Sequence, residues 1–200
     1  MTTKTVQSSY SIYVLTMRSS TSVSKLIGLF TKAKLTHSSI GFDPTMRELY
    51  SFARRHKRFV LPAGFIHENI TKGVMADCQN APCMLFEVRV CKEVYDAAKA
   101  RIALFDNAKP SPSYDIPGIL YNYFHKEREN CKNYVCSRFV AETLAVSGAI
   151  ELQMPASLYR PMDFLNQKEL TCIYEGTLGG LRQSIDEGRL LGAPAALHTD

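Results

Sequence analysis

The order of strand and helix patterns along the chain limits its fold more than any other feature of the sequence. Runs rich in β-branched and aromatic residues, or alternating between apolar and polar residues, predict strands at residues 10–17, 35–42, 48–53, 84–90 and 170–177. Apolar residues at helical spacing predict helices at residues 22–32, 92–109, 116–125, 132–147 and 181–191. Strand, helix, strands, helices, strand is an order that predicts an α+β fold with a mainly antiparallel sheet.

The length and composition predict one globular domain. The chain has 200 residues, with no internal repeat and no linker long enough to divide it, so we expect a single domain over 1–200. Its core is predicted at about 10–178, residues 54–82 are expected to be mostly irregular, and residues 192–200 form a loose tail. Hydrophobic residues make up 46% and charged residues 22%, which excludes a largely disordered or fibrous chain.

The number of cysteines raises the question of their chemistry. Six cysteines would fit a disulfide framework in a small secreted protein. However, Arg18 interrupts the first apolar run before it reaches signal-peptide length, and no stretch approaches the roughly 18 apolar residues of a membrane span. The sequence therefore predicts a cytoplasmic protein without a transmembrane segment, whose cysteines are thiols. They are Cys78, Cys83, Cys91, Cys131, Cys136 and Cys172.

The charge of the chain is mildly basic, with a formal net charge of +5. One dense cluster, Arg-Arg-His-Lys-Arg at 54–58, fits either a solvated strand end or a surface for an anionic substrate group. Aromatic residues do not alternate with these basic residues, as a platform for stacking bases needs. Nucleic acid is therefore not predicted as a partner.

Cys136 is the first candidate for chemistry, because it lies in the opening turn of the most regular predicted helix. The unpaired N–H groups and partial positive charge of a helix start favour a thiolate. The same N–H groups can hold the oxyanion formed in acyl transfer. A core thiol is the competing interpretation, because Cys136 shares a helix face with Phe139 and Val140.

His37 is the second candidate. Alternation along the predicted strand places it on one face with Ser39 and Gly41, while Ile40 and Phe42 pack on the other. A histidine beside such small residues has open space in front of it, as a catalytic base needs. An ordinary polar strand position is the competing interpretation.

The two segments together resemble a known family. Cys-Ser-Arg-Phe-Val at 136–140, followed by Gly148, is similar to the start of the catalytic helix in NlpC-type papain-like cysteine hydrolases. Thr-His-Ser-Ser-Ile-Gly at 36–41 precedes the cysteine helix, which resembles the circularly permuted branch of that family. This branch includes bacterial amidase-like proteins and is related to the lecithin–retinol acyltransferase group. The resemblance extends over about residues 10–178 and includes the segment at 160–164 and the late strand at 173–176.

The resemblance implies a permuted papain-like fold and a thiol hydrolase of the cysteine peptidase or amidase type. Cys136 would attack an amide or peptide bond and form a thioester, with His37 as the general base. No cofactor and no metal are implied. The implied substrate is a small peptide or amide, such as a soluble peptide derived from the cell wall.

The third, orienting group is left open between two residues. In this family it is usually a polar side chain on the strand that follows the histidine strand, here residues 48–52. Glu48 has the charge that stabilises an imidazolium, whereas Ser51 is nearer to the family's position but supplies no charge. The two point to opposite faces of a regular strand, so only one can serve, and Ser51 is slightly favoured.

Alternatives remain for the nucleophile and for the function. Asn-Cys-Lys-Asn-Tyr-Val at 130–135 resembles the cysteine motif of the acyltransferase relatives, which makes Cys131 a minor candidate. No pair of cysteines has the Cys-x-x-Cys spacing typical of metal sites. The same thioester could pass its acyl group to an alcohol or amine, and a binding module could keep the fold without turnover.

Overall fold

The computed structural model describes residues 9–18, 34–54, 63–110, 113–115 and 133–190. These parts of the chain form an α+β structure built on one eight-stranded sheet. The predicted helices at 22–32 and 116–125, Cys131, residues 55–58 of the basic cluster and the tail at 192–200 lie outside the described residues.

The sheet is almost entirely antiparallel. The strands are β1 (Tyr10–Met17), β2 (His37–Gly41), β3 (Leu49–Arg54), β4 (Ala63–Glu68), β5 (Pro82–Val90), β6 (Ser113–Tyr114), β7 (Asn133–Tyr134) and β8 (Thr171–Thr177). Their order in the sheet is β7-β6-β4-β3-β2-β1-β5-β8, and among these described strands only β6 and β7 pair in parallel. The predicted α+β class with a mainly antiparallel sheet is therefore confirmed.

Four α-helices lie among the described residues: α1 (Gly73–Ala76), α2 (Lys92–Asp106), α3 (Cys136–Ser147) and α4 (Leu178–Asp186). Two short 3-10 helices, Ala156–Leu158 and Asp163–Asn166, follow α3. In the described part of the chain, no helix has both the length and the apolar character needed to cross a membrane.

Two differences from the sequence-based expectation concern the site. The segment at 54–82 was expected to be irregular, but it contains β4 and α1. The helix expected over 132–147 begins only at Cys136, because Asn133 and Tyr134 are extended and pair with β6. Cys136 is consequently the first residue of the helix.

The sheet has a hydrophobic core on each face. One core contains Ile12 and Val14 of β1 with buried residues of α2 and α3, and the other contains Leu15 and Met17 of β1 with buried residues of α1 and α4. Alternate residues of β1 thus enter opposite cores. Because both faces of β1 are buried, this strand appears in the sequence as a nearly continuous apolar run.

An aromatic cluster fixes α3 to the sheet. Phe139 of α3 lies with its ring centroid 5.2 Å from that of Phe52, 5.7 Å from that of Phe65 and 5.1 Å from that of Phe105. Tyr134, which precedes the helix, packs against Phe52 and Phe105 at 5.2 and 5.1 Å. Contacts of this kind contribute about 0.5–1.5 kcal/mol per pair beyond burial alone. They set the position of the helix start relative to the strands.

Candidate active site

The start of α3 presents backbone N–H groups without a side-chain cap. Val135 is the N-cap residue, and it has no side chain that could accept a hydrogen bond from the first turn. The helical bonding begins with the Phe139 N–H, which donates to the Val135 carbonyl at 3.0 Å. The N–H groups of the residues before Phe139 have no partner within the helix. Cys136 therefore lies among donors that can hold negative charge.

The first residues of β2 lie against this helix start. His37 begins β2 and is 8% exposed, and its imidazole lies close enough to the thiol of Cys136, which is 5% exposed, to lower the pKa of that thiol. Ser38, the next residue, also helps to lower the pKa of Cys136. The two predicted residues, which are 99 positions apart in the sequence, are thus brought together.

A carboxylate whose side chain is 11% exposed holds the other side of the imidazole. His37 Nε2 lies 2.9 Å from Glu68 Oε2 and 3.1 Å from Glu68 Oε1. Ser39 Oγ donates a 2.6 Å hydrogen bond to Glu68 Oε2 and lies 3.3 Å from His37 Nε2. Because Nε2 is engaged by Glu68, Nδ1 is the ring nitrogen left for the thiol. The arrangement is a chain of thiol, imidazole and carboxylate.

The expected orienting residues have other positions. Glu48 lies before β3, is exposed, and accepts a hydrogen bond from the Tyr50 hydroxyl. Ser51 is fully buried, and its hydroxyl lies close enough to Glu68 to lower the pKa of that carboxyl. The partner that the structure gives to His37 Nε2 is Glu68 rather than Glu48 or Ser51. Glu68 lies at the end of β4, which β3 separates from β2, and its long side chain reaches the imidazole.

The sequence pattern concealed Glu68 because it lies in the segment at 54–82, whose prolines and glycines suggested a loop. The available signal was the run Phe-Ile-His-Glu at 65–68, which has no turn-forming residue. β4 is held in the sheet by six residue pairs with β3. These pairs join separate parts of the chain, so a local sequence pattern does not show them.

The pKa values of the three groups move in the directions that favour charge separation. Burial lowers the pKa of His37, but the negative charge of Glu68 and the hydrogen bonds that the imidazolium donates to Cys136 and Glu68 outweigh it and hold that pKa well above its usual range. Burial raises the pKa of Cys136, but the His37 hydrogen bond and charge, helped by Ser38, bring it below the ordinary value. The pKa of Glu68 is also lowered, because His37 and Ser39 outweigh its burial. The site therefore favours a thiolate, an imidazolium and a carboxylate.

A second set of contacts fixes the helix start from the other side. The Ser137 hydroxyl donates to the Tyr159 carbonyl. Tyr159 is 1% exposed, and its own hydroxyl donates to Gln167 Oε1 at 2.9 Å and accepts from the Gln153 N–H at 3.2 Å. In the nearby segment, Arg160 forms an ion pair with Asp163 at 3.1 Å. These contacts connect the first turn of α3 to the chain that follows it.

The other described cysteines lack this environment. Cys78 and Cys83 are buried in the core that includes α1 and α4, and burial raises the pKa of Cys83 to about 12. Cys91 is half-buried, and Cys172 is exposed with a raised pKa that comes mainly from partial burial. Only Cys136 among the described thiols has an imidazole partner.

Within the described residues, no group of three or more His, Cys, Asp or Glu side chains is arranged to hold a metal ion. No protein-family model matches the chain, and a comparison with curated proteins finds no match. The functional interpretation therefore depends on the geometry of the site.

Proposed function

We propose that the chain is a cysteine hydrolase that cleaves an amide or peptide bond through a thioester on Cys136, in a permuted papain-like fold of the NlpC type. The observation that carries this proposal is one imidazole that lies beside a helix-start thiol and is held by a carboxylate whose side chain is only 11% exposed. In this assignment Cys136 is the nucleophile, His37 the general acid–base, and Glu68 the residue that orients and charges the imidazole.

Acylation starts from the thiolate of Cys136 and the imidazolium of His37. The sulfur attacks the carbonyl carbon, a C–S bond forms, and the π electron pair of the carbonyl moves to its oxygen. Helix-start N–H groups stabilise this oxyanion. The oxyanion then collapses, the C–N bond breaks, and the leaving amine takes the proton of the imidazolium. The products of this step are a neutral imidazole, a thioester and a free amine.

Deacylation uses the same groups in reverse. The neutral imidazole removes a proton from a water molecule, whose oxygen attacks the thioester carbon. The second oxyanion collapses, the C–S bond breaks, and the sulfur departs as a thiolate beside the newly formed imidazolium. The released acid has gained the oxygen of the water, and the resting pair is restored. Glu68 keeps its charge throughout and stabilises the imidazolium each time it forms.

The substrate class that fits this assignment is a small peptide or amide, including peptides derived from the cell wall. Cys136 is 5% and His37 8% exposed, so little of either side chain is accessible from outside. A slender acyl group reaches such a site more easily than a loop of a folded protein does.

The first prediction concerns thiol reactivity, because a normal thiol with a pKa of about 8.5 is almost fully protonated at pH 6. Iodoacetamide at pH 6 should label Cys136 ahead of Cys172, and His37→Ala should slow Cys136 labelling at least about tenfold. Peptide mass spectrometry after timed quenching measures each site, and Cys172 in the same sample is the internal control. Equal slow labelling of both cysteines, or labelling of Cys136 that is indifferent to His37→Ala, contradicts the catalytic pair.

Turnover is then measured on a panel of dipeptides, cell-wall peptides and N-acyl amides. We expect release of an acid and an amine that is abolished by Cys136→Ser. An ester or a new amide as the product would assign acyl transfer instead of hydrolysis. Cleavage that persists in Cys136→Ser would contradict a Cys136 thioester.

A further inference from the structure

Ser39 lies where packing alone would favour an apolar side chain. It is fully buried in β2 and is paired with Leu15 of β1, which belongs to the core beside α1 and α4. Alternation along β2 places its side chain on the same face as that of His37. A buried hydroxyl is costly unless it is hydrogen-bonded, so the partners of this hydroxyl indicate what it does.

Those partners are the carboxylate and the imidazole of the candidate site. Ser39 Oγ lies 2.6 Å from Glu68 Oε2 and 3.3 Å from His37 Nε2, and Nε2 itself lies 2.9 Å from the same carboxylate oxygen. The three groups thus form a closed triangle of contacts. Two of them belong to β2 and the third to β4, with β3 between these strands. The long Glu68 side chain is therefore held on β2 at two points.

The chemistry of the three groups determines the direction of each hydrogen bond. An ionised carboxylate can only accept, so the single hydroxyl hydrogen of Ser39 points to Glu68. The distance of 2.6 Å is typical of a hydroxyl that donates to a carboxylate. With its hydrogen committed, Ser39 Oγ can only accept from His37, as Glu68 does. Both neighbours of Nε2 are thus acceptors, so Nε2 keeps its hydrogen, and Nδ1 is the nitrogen that gains and loses a proton.

Glu68 needs such a donor because it lies among apolar neighbours. Its side chain is only 11% exposed, and the β3 residue paired with it is Leu49, which is fully buried. Burial raises the pKa of Glu68, but the charge of His37 and the hydrogen bonds from His37 and Ser39 bring it below the ordinary value. When the leaving amine takes the proton of the imidazolium, the carboxylate loses that neighbouring charge. The Ser39 hydroxyl stays in place as a donor to the carboxylate at this stage.

We propose that Ser39 is a positioning residue, whose hydroxyl holds the Glu68 carboxylate against Nε2 of His37 throughout the reaction. This inference rests on the proposed function, in which Cys136 is the nucleophile. Ser39 itself transfers no proton. It acts on the sulfur only through Glu68 and His37, because it keeps the carboxylate ionised and the imidazole in the orientation that leaves Nδ1 for the thiol.

The test compares the rate of Cys136 alkylation by iodoacetamide at pH 6 in variants of the full chain. Ser39→Ala removes the hydroxyl and should slow labelling about three- to fivefold, because Glu68 loses a charge-assisted hydrogen bond. Ser39→Thr keeps a hydroxyl and should restore most of the rate. Ser147→Ala is the matched control, because it removes a buried hydroxyl that donates to the Leu144 carbonyl at 2.9 Å in the last turn of α3. It should leave the rate unchanged.

A double variant separates a positioning role from a general loss of packing. If Ser39 acts through Glu68, adding Ser39→Ala to Glu68→Gln should leave the rate of Glu68→Gln unchanged, because the charge that the hydroxyl stabilises is already absent. A structural defect would instead slow the double variant by the product of the two single effects. Ser39→Cys keeps the volume of the side chain but has only a weak S–H donor, and it replaces Ser39→Ala if the alanine variant does not fold.

The outcomes separate this inference from the proposed function. If Glu68→Gln and His37→Ala slow labelling but Ser39→Ala does not, Ser39 has no positioning role and this inference is wrong, while the proposed function stands. Multiplied effects in the double variant would also overturn the inference. Equal slowing by Ser39→Ala and Ser147→Ala would do the same, because it would show a general effect of removing a buried hydroxyl. If His37→Ala leaves labelling unchanged, the proposed function itself fails.

Discussion

At His37, two opposing effects act on one ring. Burial disfavours its positive charge, and the carboxylate of Glu68 at 2.9 Å restores it. The charge on Glu68 is in turn sustained by donors from Ser39 and His37. The thiol, the imidazole and the carboxylate thus depend on one another for their protonation states. Removal of the charge on Glu68 is therefore expected to change how much of the Cys136 thiol is ionised.

Glu68→Gln tests this dependence, because it keeps the shape of the side chain and removes its charge. The imidazolium loses its stabilising carboxylate, so less thiolate forms and alkylation of Cys136 at pH 6 should fall about three- to tenfold. Glu48→Gln is the matched control, since Glu48 is exposed and bonded to Tyr50 instead, and it should leave the rate unchanged. A larger effect from Glu48→Gln than from Glu68→Gln would show that Glu48 orients the imidazole.

Among the elements, α3 determines whether the thiol meets its partners. Its first turn is fixed by the Ser137–Tyr159 hydrogen bond and by the aromatic cluster around Phe139. Its last turn ends at Gly148, which has the left-handed φ of 84° expected for a helix C-terminus. The Gly148 and Ala149 N–H groups donate to the Ala145 and Leu144 carbonyls at 3.0 and 2.8 Å. Both ends of α3 are therefore held in position by defined contacts.

Gly148→Ala should lower the free energy of unfolding by about 1–2 kcal/mol, because an alanine is strained at this φ. Steric crowding contributes little, since an added Cβ would find only Val94 Cγ2, at 3.9 Å. Gly148→Asn is the matched variant and should lose less, because asparagine tolerates the left-handed region. Urea unfolding measures both. An alanine variant as stable as the original chain would contradict the assigned end of the helix.

Sequence patterns located some of these elements accurately and others poorly, for identifiable reasons. The strand at 10–17 and the end of α3 at residue 147 were predicted as found, because an apolar run and a helical apolar spacing are local signals. The start of α3 was placed too early, since the pairing of β7 with β6 is a tertiary contact. For the same reason β4, and with it Glu68, was missed. The contact of Cys136 with His37 was predicted through a family resemblance rather than from local pattern.

For the molecule as a whole, the charges of Glu68 and His37 make the free energy of unfolding depend on pH. The pKa of Glu68 is lowered in the folded state, so its contribution is complete above its unfolded pKa of about 4.3 and is lost as the pH falls through the folded value. The pKa of His37 is raised, so its contribution is complete below its unfolded pKa of about 6.5 and is lost as the pH rises through the folded value. Both contributions are complete only between about pH 4.3 and 6.5.

The difference in unfolding free energy between the unchanged chain and Glu68→Gln should therefore be largest near pH 5.5 and shrink on both sides. The sign of this change with pH does not depend on how favourable the buried pair is in absolute terms. Urea unfolding at pH 3.5, 5.5 and 8.5 provides the three values, with Glu48→Gln as the control whose difference should stay nearly flat. A difference that is smallest at pH 5.5 would contradict the assigned charges.

The thiol, the imidazole and the carboxylate belong to α3, β2 and β4, which are far apart along the chain and meet only when the sheet is assembled. An unfolded or partly folded copy of this chain accordingly carries six ordinary thiols. The activation that we propose for Cys136 therefore arises only when folding is complete. The labelling rate of Cys136 would serve the experimentalist as a direct gauge of the fraction of molecules that have reached the native state.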